Sequence, residues 1–369
     1  MSASAPDVAV VGGGIAGCAV AALLAEAGAD VRLYERETIA AGASGRNSGA
    51  LQHPMDGALA GLYARSLALY ATLGQGFAFP VEPAGTLMLS DRPDALAAER
   101  DDAAERFPEL EPEWLEGAAL AQAEPALGDG LCAYRLATGR PVPPAAATRA
   151  WAERAQAAGA AVLLGDEALV AHAGGRVEGV RRDGRLERAG AVVAAAGPWT
   201  PAALGAAPGR LPVTAVWGVV AQVRLAAPPR HSLEEAGIAA LTAPGGGPAS
   251  LFSTVTAAGV SAVGSTFTPE RPDAGAVAPL LLERGARYVP ALATAAIEGV
   301  RACARPLSAD GRPLLGPVPG VEGLHVLTGH GPWGVTLGPA SAELVAAGVL
   351  GRPDGIPPEL AAERFGSPY

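Results

Sequence analysis

Three glycines near the N-terminus have the spacing of a phosphate-binding turn. They form the motif Gly12-x-Gly14-x-x-Gly17, which follows a short apolar run and precedes a stretch rich in alanine and leucine. Glycine lets the chain turn tightly after a strand, lets the backbone approach a pyrophosphate, and lets a helix pack closely on a sheet. A helix beginning near Ile15 would offer its free N–H groups to that pyrophosphate. The motif predicts a dinucleotide-binding turn, with a purely structural glycine turn as the alternative.

An acidic residue, Glu35, ends a second strand-like run about 20 residues after Gly14. A carboxylate at this place can accept hydrogen bonds from both ribose hydroxyls of an adenosine, and it repels a 2′-phosphate. The alternative for Glu35 alone is a solvated acid at a strand end. The motif does not separate FAD from NAD, but the chain has no second copy of it, which favours one bound dinucleotide.

A second glycine-rich segment, residues 41–53, contains small side chains, hydroxyls and the chain's only asparagine, Asn47. Such a segment suits a loop that lies flat along a bulky ligand, whereas an ordinary Gly/Ser surface loop is the alternative. The segment ends at His53, whose imidazole could act there as a base or as a hydrogen-bond donor.

The elements that position these residues belong to a chain of ordinary globular composition. Of 369 residues, 50% are hydrophobic and 17% are charged, and the formal net charge is -10, so we expect a folded protein with no nucleic-acid partner. The chain has no lysine, which excludes a P-loop lysine and a Schiff-base lysine. The three cysteines form no metal or disulfide motif, and we predict no metal site. We also predict no membrane span and a cytoplasmic protein.

A strand, a glycine turn, a helix and a second strand follow one another within about 30 residues, as a Rossmann unit requires. Residues 211–225 and 249–268 are rich in β-branched side chains and predict an antiparallel sheet. A final helix is predicted from about residue 340, with Pro339 near its first position, where proline is favoured. These patterns indicate an α/β protein.

Two C-terminal segments, residues 301–316 and 324–339, carry Arg, Gly, Pro and Trp at close spacing. Together with Glu35-Arg36, segment 41–53 and residues 195–199, they resemble the D-amino-acid oxidase superfamily of FAD-dependent oxidoreductases. Glycine oxidase, sarcosine oxidase and D-amino-acid dehydrogenase are the nearest named types. The resemblance implies an α/β fold with a discontinuous, Rossmann-like FAD-binding domain (residues 1–79, 141–208 and 299–369) and a second, β-rich α+β substrate domain (residues 80–140 and 209–298).

The resemblance implies FAD as the cofactor and places its contacts at both ends and in the middle of the chain. The predicted cofactor-binding residues are Gly12, Gly14, Ile15, Ala16, Gly17, Glu35, Arg36, Ser44, Gly45, Arg46, Asn47, Ser48, Gly49, Ala50, Leu51, Val170, Ala196, Gly197, Trp199, Arg305, Gly331, Trp333, Gly334, Val335 and Thr336.

Arg305 stands where members of the superfamily carry the arginine that binds the substrate carboxylate. A guanidinium holds a carboxylate through two parallel hydrogen bonds and so fixes its orientation. The alternative is a surface arginine paired with Asp310 or another acid, and Arg301 is the second candidate for the carboxylate.

The predicted catalytic set is Arg305, His53 and His330. His330 is expected to contact the flavin, with a loop histidine satisfied by its neighbours as the alternative. Cys303 stands where sarcosine-oxidase-like proteins join a cysteine covalently to the flavin, and a buried inert thiol is the alternative. Trp333 occupies the place of their oxygen-activating lysine, which favours a dehydrogenase, or an oxidase that relies on His330 or a helix dipole.

The leading hypothesis is an FAD enzyme that oxidises the C–N bond of an amino acid or secondary amine by hydride transfer to flavin N5. Water would then hydrolyse the imine. Oxidation of a 2-hydroxy acid is the alternative within the same fold, and a non-catalytic flavin-binding protein is the alternative of another class. The expected partners are the small-molecule substrate and an electron acceptor, either O₂ or another carrier.

Overall fold

The computed structural model describes residues 7–74, 77–165, 167–205, 211–237, 247–352 and 355–366. Within them the strands are β1 (Val8–Val11), β2 (Val31–Glu35), β3 (Ala50–Leu51), β4 (Thr86–Ser90), β5 (Glu113–Glu116), β6 (Cys132–Leu136), β7 (Arg140–Pro141), β8 (Ala161–Leu164), β9 (Leu169–Ala173), β10 (Arg176–Arg182), β11 (Arg185–Arg188), β12 (Ala191–Ala194), β13 (Val213–Val223), β14 (Ser232–Glu235), β15 (Ala249–Ala257), β16 (Val260–Phe267), β17 (Ile297–Ser308), β18 (Leu314–Pro317) and β19 (Leu324–Thr328). The helices are α1 (Ile15–Glu26), α2 (Ala43–Arg46), α3 (Gly57–Ala71), α4 (Pro93–Arg106), α5 (Gly117–Ala123), α6 (Ala146–Ala157), α7 (Thr200–Ala203), α8 (Ala274–Gly285) and α9 (Gly334–Val349).

A six-stranded sheet has the strand order β18-β19-β12-β1-β2-β8. Its pairs are parallel, except that β18 runs antiparallel to β19. Every residue of β1 is buried, as expected of a strand covered on both faces. Because the carboxyl ends of parallel strands meet at one edge, Gly12, Glu35 and Ala195 come together there.

Both faces of this sheet are covered. Helices α1, α3, α6 and α9 pack on one face and share a single apolar core with it. The antiparallel sheet β11-β10-β9 covers the other face through Val177 and Val180, among other residues. Three layers therefore enclose the strand that leads into the glycine turn.

An eight-stranded sheet has the order β17-β13-β16-β15-β14-β4-β6-β5, with β17 and β5 at its edges. Helix α8 packs on one face, against side chains that include Leu233, Val263 and Ala221. Side chains alternate along a strand, so the residues next to these lie on the opposite face. One row across that opposite face consists of Glu234, Ser253, Gly264, Val220 and Arg301.

The predicted fold class is confirmed, because a mainly parallel α/β sheet is joined to a second, larger β-rich sheet. Strand β17 belongs to the second sheet, although the last predicted FAD-binding segment begins at residue 299. The division of the chain into two domains at the predicted residues stays a prediction.

The last helix begins earlier than the sequence indicates. Helix α9 starts at Gly334, so Pro339 lies inside it, and the start predicted near residue 340 is wrong. A proline inside a helix leaves the carbonyl four residues earlier without its N–H donor. That carbonyl belongs to Val335, and the buried hydroxyl of Tyr70 on α3 donates a hydrogen bond to it. Packing of α3 on α9 therefore compensates for the proline.

Candidate FAD-binding and active site

A cavity of about 500 Å³ runs along the carboxyl ends of β1, β2 and β12 and past the edge strand β17. The predicted site residues in its wall are Gly12, Gly14, Ile15, Ala16, Glu35, Arg36, Ser44, Arg46, Asn47, Ala196, Gly197, Trp199, Cys303, Arg305, His330, Gly331, Gly334 and Val335. The fold thus brings together residues from both ends and the middle of the sequence.

The glycine motif closes around the first turn of α1. Gly12 has a φ of +115°, a conformation that other residues rarely adopt. A Cβ atom on Gly17 would overlap the carbonyl oxygen of Gly12, so glycine is required for α1 to lie this close. The Ile15 N–H donates to the Ser44 hydroxyl at 3.0 Å, and a helix leaves its other first-turn N–H groups without acceptors of its own. This end of α1 offers donors and a positive dipole end to a phosphate.

The carboxylate of Glu35 is fixed beside the same turn. It accepts hydrogen bonds from the N–H of Gly13 at 2.7 Å and from the N–H of Glu37 at 2.8 Å. A carboxylate offers about four lone-pair sites, so both oxygens retain capacity for further donors. Glu35 is therefore placed and oriented to accept hydroxyl groups from a ligand in the cavity.

Arg36 and Trp199 stand together in the cavity wall. The Arg36 guanidinium carbon lies 4.3 Å from the centroid of the indole ring, a cation–π contact. The Trp199 side chain remains exposed, at 38%. The indole offers a planar apolar surface close to the end of β2.

The second glycine-rich segment forms α2 and β3. Asn47 ends α2, where its amide donates to two carbonyls of that helix and accepts from the N–H of Gly49 at 2.8 Å. A Cβ on Gly45 would overlap the carbonyl oxygen of Ala40, and one on Gly49 would overlap that of Val142. The small residues here are thus needed for the fold of the loop, while Asn47 also faces the cavity.

Arg305 has a fixed guanidinium in the cavity wall. Nη1 donates to the carbonyl oxygen of Thr266 at 2.9 Å, and Nη2 donates to the hydroxyl of Ser265 at 2.6 Å. The guanidinium also lies 4.0 Å from the centroid of the Phe267 ring. Burial lowers the pKa of Arg305, but a guanidinium keeps its proton in proteins.

No carboxylate of the described residues forms an ion pair with Arg305. Asp310, the alternative partner, is paired with Arg364 at 2.8 Å, so that alternative is wrong. A guanidinium has five N–H donors, and the hydrogen bonds to Thr266 and Ser265 use two of them. Arg305 therefore retains both charge and donors for an anion in the cavity.

Cys303 is buried in the cavity wall, two residues before Arg305 on the same face of β17. Burial raises the pKa of its thiol, and the positive charges of Arg305, Arg301 and Arg46 act in the opposite direction. A covalent link between Cys303 and FAD stays a prediction.

His330 is buried at the point where the chain enters α9. Its Nε2 lies 3.0 Å from the hydroxyl of Ser341, and burial lowers its pKa to about 4. The ring is therefore neutral at neutral pH and carries no charge for the stabilisation of an anion. The N-terminus of α9, whose first residues Gly334 and Val335 lie in the cavity wall, supplies a positive dipole end.

His53 does not reach the wall of the described cavity. It lies between Tyr63 and Phe107, with ring centroids 5.2 and 5.0 Å away, and burial lowers its pKa. This position does not support a base that acts in the cavity. The other predicted residues outside the wall are Gly17, Gly45, Ser48, Gly49, Ala50, Leu51, Val170, Trp333 and Thr336.

Besides Phe267, three residues next to the Arg305 guanidinium were not predicted from the sequence. Gly218 of β13 lies beneath the guanidinium, and Ser265 and Thr266 of β16 accept its hydrogen bonds. A lone glycine inside a strand indicates close approach of another group, so Gly218 carried a readable signal. Ser265 and Thr266 carried none, since their role depends on how β16 pairs with β13.

Comparison with known proteins identifies this arrangement. The family described as FAD dependent oxidoreductase matches residues 7–347. The chain belongs to this family. The predicted superfamily and the predicted FAD cofactor are confirmed, and the enzyme is an FAD-dependent oxidoreductase.

Solved structures similar to this FAD-dependent oxidoreductase include two oxidases. Glycine oxidase from Geobacillus kaustophilus is 26% identical with a TM-score of 0.82, covering 97% of this chain and 98% of that one. Iminodiacetate oxidase from Chelativorans sp. BNC1 is 25% identical with a TM-score of 0.79, covering 98% of each chain. A curated carotenoid phi-ring synthase from Streptomyces griseus is 67% identical over 45 residues, which is 12% of this chain and only 8% of that protein.

The cavity residues fit FAD. The glycine turn leaves room for a pyrophosphate at α1, Glu35 has free acceptor capacity for a ribose, and the cavity continues from there to Arg305. Across the described parts of the chain, no helix is long and apolar enough to cross a membrane, and no group of His, Cys, Asp and Glu could hold a metal ion.

Proposed function

We propose that this FAD-dependent oxidoreductase oxidises the C–N bond of a small amino acid or secondary amine that carries a carboxylate. The proposal rests on the guanidinium of Arg305, which lies in the cavity wall and has no carboxylate partner in the described chain. A charged group enclosed by protein needs a counter-charge to be stable. The names of the similar glycine and iminodiacetate oxidases support a substrate of the same class.

The residues of this chain act mainly by binding and orientation. Arg305 would hold the substrate carboxylate through paired hydrogen bonds, while Ser265, Thr266 and Phe267 keep its guanidinium in place. A fixed carboxylate limits the positions that the neighbouring C–H bond can take, and correct placement is a large part of catalysis. No base is needed when the amine arrives in its neutral form.

FAD bound in this cavity would supply the acceptor for the hydride, that is, the hydrogen and the two electrons of the substrate C–H bond. As the hydride leaves, the lone pair of the substrate nitrogen forms a C=N double bond to the same carbon. Water then hydrolyses this imine to a carbonyl compound and an amine or ammonia. Glu35 would hold the ribose and the N-terminus of α1 the pyrophosphate, and the positive end of the α9 dipole would stabilise negative charge on the flavin. The six-stranded sheet forms the FAD-binding domain, and the eight-stranded sheet forms the substrate domain.

The proposal is tested by anaerobic reduction of the flavin-loaded protein. Amino acids, N-substituted amino acids and 2-hydroxy acids are mixed with it in turn, and bleaching of the flavin absorbance is recorded. We expect bleaching with at least one amine and with no hydroxy acid. Bleaching by hydroxy acids alone contradicts amine oxidation, and no bleaching by any carboxylate contradicts the proposed function.

Two variants separate binding by Arg305 from a general loss of structure. Arg305→Met should keep FAD, but its second-order rate constant for flavin reduction by the substrate should fall about 100-fold or more, because a charged hydrogen-bonded pair is lost. Arg224→Gln removes an exposed arginine that pairs with Glu298 and serves as the matched control. Admission of air to the reduced protein then shows whether O₂ or another carrier accepts the electrons.

A further inference from the structure

Arg301 lies on the same face of β17 as Cys303 and Arg305. Arg301 pairs with Val220 on β13, and Cys303 pairs with Gly218. Arg301 and Cys303 are two residues apart, which is about 7 Å along the strand. The Arg305 side chain bends back over Gly218 into the row of Cys303. Its guanidinium is therefore closer to Arg301 than the spacing of the two residues in the sequence indicates.

Arg301 is a part-buried cation that has no acidic partner among the described residues. Its Nε atom is buried and has no hydrogen-bond partner in the described parts of the chain, and no described carboxylate forms an ion pair with it. Burial lowers the pKa of its guanidinium. Several other arginines are paired with acids, as in Arg312 with Asp56 at 2.9 Å, Arg154 with Glu26 at 2.6 Å and Arg364 with Asp310 at 2.8 Å.

The surroundings of Arg301 add positive charge. The positive charges of Arg305, Arg301 and Arg46 all lower the pKa of the Cys303 thiol, against the larger effect of burial, so the three guanidinium groups act on the same neutral side chain. Lysine or histidine could lose a proton in such a place, but arginine cannot. A site with two part-buried, unpaired arginines on one sheet face is therefore complementary to two negative charges.

The sheet face beside the two arginines carries little side-chain bulk. Gly218 and Gly264 lie on it, and the Arg305 guanidinium covers Gly218, while Val220 stands opposite Arg301. A ligand whose first acidic group is held by Arg305 would extend past Cys303 along this face to reach Arg301.

We propose that Arg301 is a second anion-binding residue and that the substrate is an amino or imino acid with two acidic groups. This inference rests on the proposed function, in which Arg305 holds the first carboxylate. Arg301 holds the second one and selects acidic substrates over neutral ones of the same size.

The first test measures binding without turnover. Flavin-loaded protein is titrated with succinate and glutarate and, separately, with propionate and butyrate, and the change in the flavin absorbance spectrum gives each Kd. We expect the dicarboxylates to bind at least about tenfold more tightly, the effect of one further charge-assisted hydrogen-bonded pair. Equal Kd values for the two groups of acids would overturn the proposal.

The second test assigns the preference to Arg301. Arg301→Gln should weaken dicarboxylate binding about tenfold or more and leave monocarboxylate binding within about threefold, whereas Arg301→Lys keeps the charge and should retain part of the preference. Arg224→Gln again serves as the control. A loss of affinity that is equal for both groups of acids in Arg301→Gln contradicts a role in charge recognition.

Flavin reduction separates this inference from the proposed function. The wild-type protein is mixed anaerobically with glutamate and iminodiacetate and, in parallel, with glutamine and glycine. Bleaching with the acidic substrates at lower concentration supports the second anion site. Bleaching with glutamine or glycine at equal or lower concentration overturns it and leaves amine oxidation intact, and bleaching with none of these or of the wider panel overturns both.

Discussion

The guanidinium of Arg305 lies directly over the α-carbon of Gly218 on the neighbouring strand. A Cβ atom at Gly218 would overlap Nη1, Nη2 and Cζ of Arg305, so a side chain at position 218 and this placement of the guanidinium exclude each other. Gly218 has no left-handed backbone conformation to explain its presence. Glycine at this position leaves the space that the guanidinium occupies.

The variant Gly218→Ala should therefore lose carboxylate binding while it keeps FAD. The added methyl group displaces the guanidinium from Thr266 and Ser265, and we expect the Kd for carboxylate ligands to rise about tenfold or more. Titration of flavin absorbance measures this change. The control is Gly61→Ala, which adds a methyl group on the open side of α3 and should be neutral or slightly stabilising. An unchanged Kd in Gly218→Ala would show that Arg305 is not held by this contact.

The variant Glu35→Gln should bind FAD more weakly. An amide keeps one acceptor oxygen but loses the charge that supports the hydrogen bonds of the turn and of a ribose, and we expect an affinity loss of about tenfold to 100-fold. Quenching of FAD fluorescence on titration with the apoprotein gives the Kd. Glu343→Gln, an exposed acid paired with Arg65, is the control. Equal affinities for wild type and Glu35→Gln contradict the ribose contact.

His330 makes the protein less stable in mild acid. Burial holds its folded-state pKa at about 4, below the usual 6.5, so the unfolded chain binds more protons between these values. The free energy of unfolding should therefore decrease as the pH falls from 6.5 towards 4, by about 3 kcal/mol for this group in total. Urea unfolding at a series of pH values measures the loss. His330→Asn should be less stable at pH 7, but its free energy of unfolding should lack the decrease between pH 6.5 and 4 that we assign to His330. The same decrease in the variant as in the wild type would refute this assignment.

Tyr70 and Pro339 should be energetically coupled. Tyr70→Phe leaves the Val335 carbonyl without a donor and should reduce the free energy of unfolding by about 1–3 kcal/mol. In a Pro339→Ala background the restored N–H can reach the same carbonyl, so Tyr70→Phe should cost less there. A double-mutant cycle from urea unfolding measures the difference. Strictly additive effects would mean that the hydroxyl does not compensate for the proline.

The parts of the site that follow from local sequence were predictable. The strand, the glycine turn and Glu35 lie within one Rossmann unit, so their geometry is set by short-range spacing. The C-terminal cluster was placed by its resemblance to a family and not by spacing alone. Pro339 was misplaced because a hydroxyl from α3, distant in sequence, removes the usual penalty for proline inside a helix.

Contacts that depend on strand register could not be predicted. His53 follows the glycine-rich loop in sequence, yet its ring is buried among Tyr63 and Phe107 because the chain turns away from the cavity after β3. Ser265 and Thr266 reach Arg305 only through the pairing of β13 with both β16 and β17. Such contacts join residues far apart in the chain, and a single sequence carries no local signal for them.

The strand order of the six-stranded sheet delays the folding of this layer during synthesis. Strand β1 pairs with β12, β12 pairs with β19, and α1 packs against α9, so the first and last elements of the chain complete one layer together. A nascent chain on the ribosome therefore cannot close this layer until the residues of α9 have emerged. Until then the edge of β12 and the apolar face of α1 lack their partners and are exposed to chaperones. The wall of the cavity, which includes Gly334 and Val335, is therefore complete only after α9 has emerged.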